Sequence, residues 1–225
     1  MDQLVLGSLD PAVFYEHTFV VGVDLGQSHD PTAICIVEKI SGGRFQSYRD
    51  RIGIRYRPLY HVKHLERLPL DLAYPQQVAY VASLLRREPL SSAEPAVYVD
   101  YTGVGRPVFD IFQQERIPRV RGVAITGGQE TTKTPAGWSV PKTQLVSLVQ
   151  AKLHSGDLKV GKELKDAPAL LRELQEFRVR FTTAGNATFG AREGAHDDLV
   201  LALALAVFGA DQSEPVMSLP FRFPY

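Results

Sequence analysis

The segment Asp197 to Phe208, DDLVLALALAVF, puts two acids ahead of ten consecutive apolar residues, leaving no face of a helix for water. Such a helix has to be enclosed on most sides. The rest of the 225-residue sequence must therefore supply a sheet and further helices to surround it, and a hydrophobic fraction of 44% is enough for one substantial core.

The rest of the chain reads accordingly. Residues 1–18 show no periodicity and form a lead-in. Phe19 to Leu25 and Thr32 to Lys39 are β-rich runs joined by the polar Gly26 to Pro31, which predicts an antiparallel hairpin. Ser41-Gly42-Gly43 reads as a turn, and Arg44 to Leu68 as extended segments. Pro75 opens a helix carrying Val78, Val81, Ala82 and Leu85, and Pro89 stops it. Ala96 to Asp100 is a short strand, followed after Gly103 and Gly105 by a helix with Val108, Ile111 and Phe112 on one face. Val120 to Thr126 is another strand, Gly127 to Trp138 a polar loop, and Pro141 to His154 a helix ending at Gly156. A helix over Ala167 to Arg178 buries Leu170, Leu171, Leu174 and Phe177. The all-apolar helix follows, and residues 211–225, dense in proline and aromatics, form a tail. Strands first and βα alternation afterwards predict a mixed sheet flanked by helices, a single domain over residues 19–210.

Composition excludes several classes. Lys+Arg and Asp+Glu both number 25, so no global field attracts a polyanion and nucleic-acid binding would need a local patch. The one cysteine, Cys35, rules out a disulfide framework and a cysteine-rich zinc site. No apolar run approaches the roughly 20 residues of a membrane span, and the acidic N-terminus lacks the basic start of a signal peptide, which predicts a soluble intracellular protein. Neither a phosphate loop of the G-x-x-x-x-G-K-[ST] kind nor a Ser-His-Asp or Cys-His arrangement is present.

Acids stand where apolar elements end or begin: Asp24 and Asp100 at the ends of strands, Asp197 and Asp198 at the start of the last helix. In an open α/β sheet the carboxyl ends of parallel neighbours share one rim, so these elements can meet there. Each acid alone has a plain structural reading, a turn residue for Asp24 or Asp100 and a cap or first-turn acid for the doublet. Together they form a like-charged cluster that a cation would neutralise, and hard carboxylates suit Mg²⁺ or Mn²⁺. A pair of such ions can clamp the attacking and leaving oxygens of phosphoryl displacement. His196, just before the doublet, is a secondary candidate for orienting water or ligand. A basic concentration, Arg44, Arg49, Arg51, Arg55 and Arg57 with Lys63 and Arg67, falls in the extended region, where alternate positions share a face. Beside an acid site it is expected to grip DNA phosphates, with Lys133 and Lys142 as candidates for the opposite wall; otherwise it is a solvated edge.

These residues resemble a known family. Val20 to Asp24 with Gly26, Val97 to Gly105, and Gly194-Ala195-His196-Asp197-Asp198-Leu199-Val200 followed by Ala202 and Ala204 are similar to the C-terminal nuclease domain of the large terminase subunit of tailed bacteriophages. The similarity in layout spans about Phe19 to Phe208. It implies a ribonuclease H-like fold with a central five-stranded mixed sheet whose first three strands are antiparallel. It also implies a metal-dependent endonuclease, carrying two Mg²⁺ or Mn²⁺ ions on Asp24, Asp100 and Asp197 or Asp198, that cuts concatemeric viral double-stranded DNA in the cytoplasm of the infected host. The implied partners are a packaging ATPase domain, which precedes the nuclease in this family and is missing here, a small terminase subunit and a portal. The chain thus looks like an excised nuclease half or a truncated product. Two other functions compete. Asp24-Leu25-Gly26-Gln27-Ser28 also resembles the first phosphate loop of actin-like and sugar-kinase ATPases, which need a second similar half, and a non-catalytic DNA clamp would use only the arginine ribbon.

Overall fold

Along β1 (Val13–Asp24) successive side chains enter two different cores. Phe19, Val21 and Val23 face one, while Val20 faces the other, as the two-residue period of a strand dictates. The structure, a computed structural model, describes residues 13–26, 30–47, 52–102, 106–176, 178–181, 187–190 and 197–213.

β2 (Ala33–Ser47) returns antiparallel to β1, and β4 (Leu59–Arg67) runs antiparallel to β2. The hairpin expected across Gly26 to Pro31 is present. β5 (Ala96–Asp100) lies parallel to β1 on its other side, with β6 (Val120–Thr126) parallel beyond it. These five strands are the expected mixed sheet, with its first three antiparallel.

Among the described residues the sheet is wider than expected, with nine strands. β3 (Ile52–Arg55) pairs with the outer part of β2, and β9 (Leu158–Val160) extends the edge parallel to β4. On the opposite edge, part of the expected polar loop folds as β7 (Thr132–Thr134) and β8 (Gly137–Pro141), and β8 pairs parallel to β6. Gly137 permits this pairing. Its φ is +150°, and a Cβ there would lie 2.2 Å from the Gly122 carbonyl oxygen, so the sequence signal was a glycine required by close backbone approach rather than by a loop.

A second correction concerns Ser41-Gly42-Gly43. It is no turn but the interior of β2, which pairs with β1 as far as Val13, six residues ahead of the expected strand start at Phe19. A Cβ on Gly42 would approach the Tyr15 ring to 2.8 Å, and one on Gly43 the Ile54 carbonyl oxygen to 2.5 Å. The two glycines make room across the strands.

Helices cover both faces. α1 (Tyr74–Leu85), α2 (Leu90–Ala93) and α3 (Arg106–Gln114) place Val78, Val81, Leu90, Val108 and Phe112 against Val21, Ile34, Ile36, Val97 and Val99. α4 (Lys142–His154), α5 (Ala167–Glu176) and α6 (Asp198–Gln212) pack on the other face against Val20, Cys35, Val37 and Tyr98. α5 ends two residues before the expected Arg178, which instead opens β10 (Arg178–Phe181), paired with β11 (Ala187–Gly190) as a separate two-stranded sheet.

α6 is the enclosed helix, buried continuously from Asp198 to Ala210. Its seat on β1 is made by small residues: a Cβ on Gly22 would lie 2.1 Å from the Ala202 carbonyl oxygen and 2.6 Å from the Ala206 nitrogen. It continues past the expected Phe208 because Gly209 fits under the Tyr98 ring and Lys39 Nζ donates to the carbonyls of Ala210 (2.7 Å) and Ser213 (3.1 Å). Because Gly22 meets Ala202 while Val20 meets Gly209, the helix runs back along β1 and its N-terminus arrives at Asp24.

Candidate active site

Asp24 and Asp100 are the last residues of β1 and β5, and the parallel register pairs them directly. Each shares its face with residues two and four positions earlier, Gly22 and Val20 on β1, Tyr98 and Ala96 on β5, so both carboxylates lie on the α6 side of the sheet. Asp197 and Asp198 open α6 at the same rim. The two strand-end acids and the doublet therefore meet at one end of the fold.

Their electrostatics show how near they are. Burial, then the charges of Asp100, Asp197 and Asp198, hold the Asp24 carboxyl well above the usual carboxylate range, and Lys142 offsets only part of this. Asp100 is also raised by burial, against the pull of its hydrogen bonds with Thr102, whose backbone N–H donates to Oδ1 at 2.7 Å.

The doublet is held by two different cations. Lys142, the first residue of α4, donates from Nζ to Asp197 Oδ2 at 2.6 Å. Arg67, the last residue of β4, grips both oxygens of Asp198, from Nε to Oδ2 at 2.5 Å and from Nη2 to Oδ1 at 3.2 Å. The same Nη2 reaches Glu173 of α5. Glu173 Oε2 in turn accepts the Val200 N–H at 3.0 Å, taking one of the open donors in the first turn of α6. Burial, together with Asp198, pushes the Glu173 carboxyl up to about 7 despite the Val200 and Arg67 contacts.

The expected helix cap is thus corrected. Asp197, in the cap position, makes no cap hydrogen bond and Glu173 supplies an acceptor instead, while Asp198 is the first-turn acid of α6. Among the described residues, no three acids or histidines already stand in a geometry that would hold a metal ion. What the site offers is a donor set of hard oxygens in which burial and then mutual repulsion raise Asp24, which is the chemistry that suits a hard divalent cation.

No family model and no curated protein matches the chain. Among solved structures, the large terminase nuclease from thermophilic phage G20c with bound magnesium aligns with a TM-score of 0.60 at 22% identity, covering 86% of this chain and 82% of that one. The large terminase nuclease domain of Thermus phage P74-26 aligns with a TM-score of 0.56 at 21% identity, over 84% and 78% of the two chains. The chain has the large terminase nuclease fold. A third alignment, to the G20c nuclease with bound cobalt, has a TM-score of 0.56 at 22% identity, over 86% of this chain and 81% of that one. The described residues build one central sheet of this terminase nuclease fold, not the two similar halves that an actin-like ATPase needs.

Within that fold the other candidates separate. Of the described ribbon arginines, Arg44 and Arg55 do not stand beside the acids. Arg44 pairs with Val13 and Arg55 with Gly43, at the opposite end of the long β1–β2 hairpin, and the eleven steps from Val13 to Asp24 span about 36 Å. These two arginines stand there because β2 runs straight through Gly42-Gly43 instead of turning back. Arg57 pairs through Nε with Asp157 Oδ2 at 2.7 Å. Lys133 lies on the edge strand β7, its Nζ 5.2 Å over the Trp138 ring, whereas Lys142 belongs to the acid cluster. His196, Arg49 and Arg51 lie outside the described residues.

Arg67 and Glu173 are the residues that sequence reasoning did not single out. Arg67 reads as one more member of the basic ribbon, yet the nine residues of β4 carry it to the acid end. Glu173 had a usable signal, an acid three residues after Leu170 and one before Leu174 on the apolar stripe of α5, where a carboxylate needs a partner.

Proposed function

We propose that this chain is a divalent-metal-dependent endonuclease that cuts double-stranded DNA during viral genome packaging. The observation that carries the reading is the in-register pairing of Asp24 with Asp100 at the rim where α6 delivers Asp197 and Asp198, with Asp24 raised by burial and by the other three. The fold shared with the G20c nuclease that binds magnesium supports it.

In this reading Asp24, central among the acids, Asp100 and Asp197 are the residues that would hold the ions. Two Mg²⁺ or Mn²⁺ ions, when bound, would activate a water against the scissile phosphorus and neutralise charge on the departing 3′ oxygen. The residues of the chain do the positioning. The Thr102 N–H fixes one oxygen of Asp100. Arg67 occupies both oxygens of Asp198, so that acid anchors α6 to β4 while Asp197, the more exposed of the two, is the one that can turn toward an ion. This choice between the doublet's members rests on hydrogen bonds absent from the sequence.

The larger setting belongs to the same proposal: a packaging ATPase, a small terminase subunit and a portal as partners, and the cytoplasm of an infected bacterium as the place of action. The test is nicking of supercoiled plasmid in Mn²⁺ by the wild type, Asp24→Asn and Asp100→Asn. Wild-type nicking, with a loss of orders of magnitude in both variants and unchanged circular dichroism, is expected. Near-normal nicking by both variants overturns the assignment.

A further inference from the structure

Lys142 has the wrong neighbours for a residue meant only to meet DNA. It follows Pro141, the last residue of β8 and the residue preceding the first turn of α4, so its backbone is fixed between a strand and a helix. From there its ammonium reaches Asp197 Oδ2 at 2.6 Å, on the helix that brings the doublet to the rim. The side chain is 27% exposed, which gives the flexible stem a route outward. The other cation at the rim, Arg67, is committed to Asp198 and Glu173. Among the described residues Lys142 is therefore the positive group that faces the side of the cluster holding Asp197, and its charge is felt by both Asp24 and Asp100.

We propose that Lys142 is a built-in counter-ion of the acid site: it holds Asp197 before a divalent ion enters, and a divalent ion binds only by displacing its ammonium from that carboxylate. This inference rests on the metal-dependent reading above and adds to it a regulation of the same site. Its physical basis is competition. An ammonium hydrogen-bonded to a ligand oxygen occupies a coordination direction, and its charge opposes an incoming +2 ion in a partly desolvated rim. The stem lets it leave, whereas Arg67, gripping two carboxylates through a rigid fork, stays. The resident cation keeps Asp197 in place without metal, at a cost in metal affinity.

The experiment measures Mn²⁺ binding without DNA, by the electron paramagnetic resonance signal of free Mn²⁺, on the full 225-residue chain. Lys142→Gln keeps a hydrogen-bonding side chain and a good helix former but removes the charge; Lys142→Met removes both, and Lys142→Arg keeps the charge. Both neutral variants are expected to bind Mn²⁺ about tenfold more tightly than wild type, the removal of one adjacent positive charge being the cause, while Lys142→Arg stays near wild type. Either neutral variant that folds is sufficient for the comparison. Equal or weaker Mn²⁺ binding by the folded neutral variant overturns the inference. Asp24→Asn separates this from the reading beneath it: if wild type binds no Mn²⁺, or Asp24→Asn binds it as well as wild type does, the metal site itself is overturned and the role of Lys142 falls with it.

Discussion

Asp24 and Asp100 are register partners on adjacent parallel strands, each the last residue of its strand and each with its carboxyl raised by burial. Two acids side by side in this way oppose folding when both are charged. In Asp24, burial and the neighbouring acids raise the folded pKa above its ordinary 3.8, so its contribution is fully present below that value and is lost as pH rises through the folded pKa. Asp24→Asn is therefore expected to melt at a higher temperature than wild type in EDTA at neutral pH, while losing nicking. Thermal melts at pH 7.5, about, with and without Mn²⁺ check it: added Mn²⁺ should stabilise wild type and not the variant.

The doublet should divide by kind of loss. Asp198→Asn or Arg67→Ala leaves the other partner of a largely buried pair uncompensated and is expected to cost about 3 kcal/mol, read by urea denaturation. Asp197→Asn touches a more exposed pair and should cost less than about 1 kcal/mol while abolishing Mn²⁺-dependent nicking. Equal stability losses in the two aspartate variants would contradict the division.

Glu173 provides a pH signature in the metal-free protein. Its folded pKa of about 7 exceeds its ordinary 4.5, so the proton that stabilises the folded state is present below 4.5 and lost through 7. Relative to Glu173→Gln, wild type should lose stability progressively between those two values and show a constant difference on either side. Denaturation midpoints across that range, in EDTA, provide the measurement; a flat difference refutes it.

The remote arginines predict a dependence on DNA length. Arg44 and Arg55 lie level with Val13 and Phe14, about 33–36 Å along β1 from Asp24, which is close to 10–11 bp of duplex at roughly 3.4 Å per base pair. Arg44→Ala/Arg55→Ala should bind duplexes shorter than about 10 bp as wild type does, and lose affinity and salt dependence only on longer ones. Equal binding at every length assigns the ribbon to a partner other than DNA.

Much of this architecture was legible in the sequence because the signals were periodic. The five central strands, the helices other than the short α2, and the convergence of Asp24, Asp100 and the doublet follow from apolar runs and from where they stop. The missed parts were governed by contacts instead. Gly42 and Gly43 carry the same residue type as a turn but serve the packing of Tyr15 and the approach of the Ile54 carbonyl, and only the pairing of β1 with β2 tells these apart. Arg67 and Arg44 look alike in a list of basic residues, yet antiparallel folding sends one to the acids and the other to the far end. The different partners of Asp197 and Asp198 depend on which cation reaches each, from α4 and β4, elements distant in sequence.

The contact of Gly22 with Ala202 also fixes a measure of length. From that point Asp24 lies two strand residues onward, about 6.6 Å, and Asp198 four helix residues back, about 6.0 Å. A strand and a helix advance by unequal steps, and near this distance the two counts happen to agree, so the acids on both elements finish level. Sliding α6 by one residue would shift the doublet by about 1.5 Å and swing it by about 100° around the helix axis, out of step with Asp24 and Asp100. Gly22→Ala, by pressing a methyl into the Ala202 carbonyl, would detune this alignment from a position that never touches the rim. The spacing of the acids is thus kept by a vernier of two unlike rulers, whose common zero is a residue with no side chain.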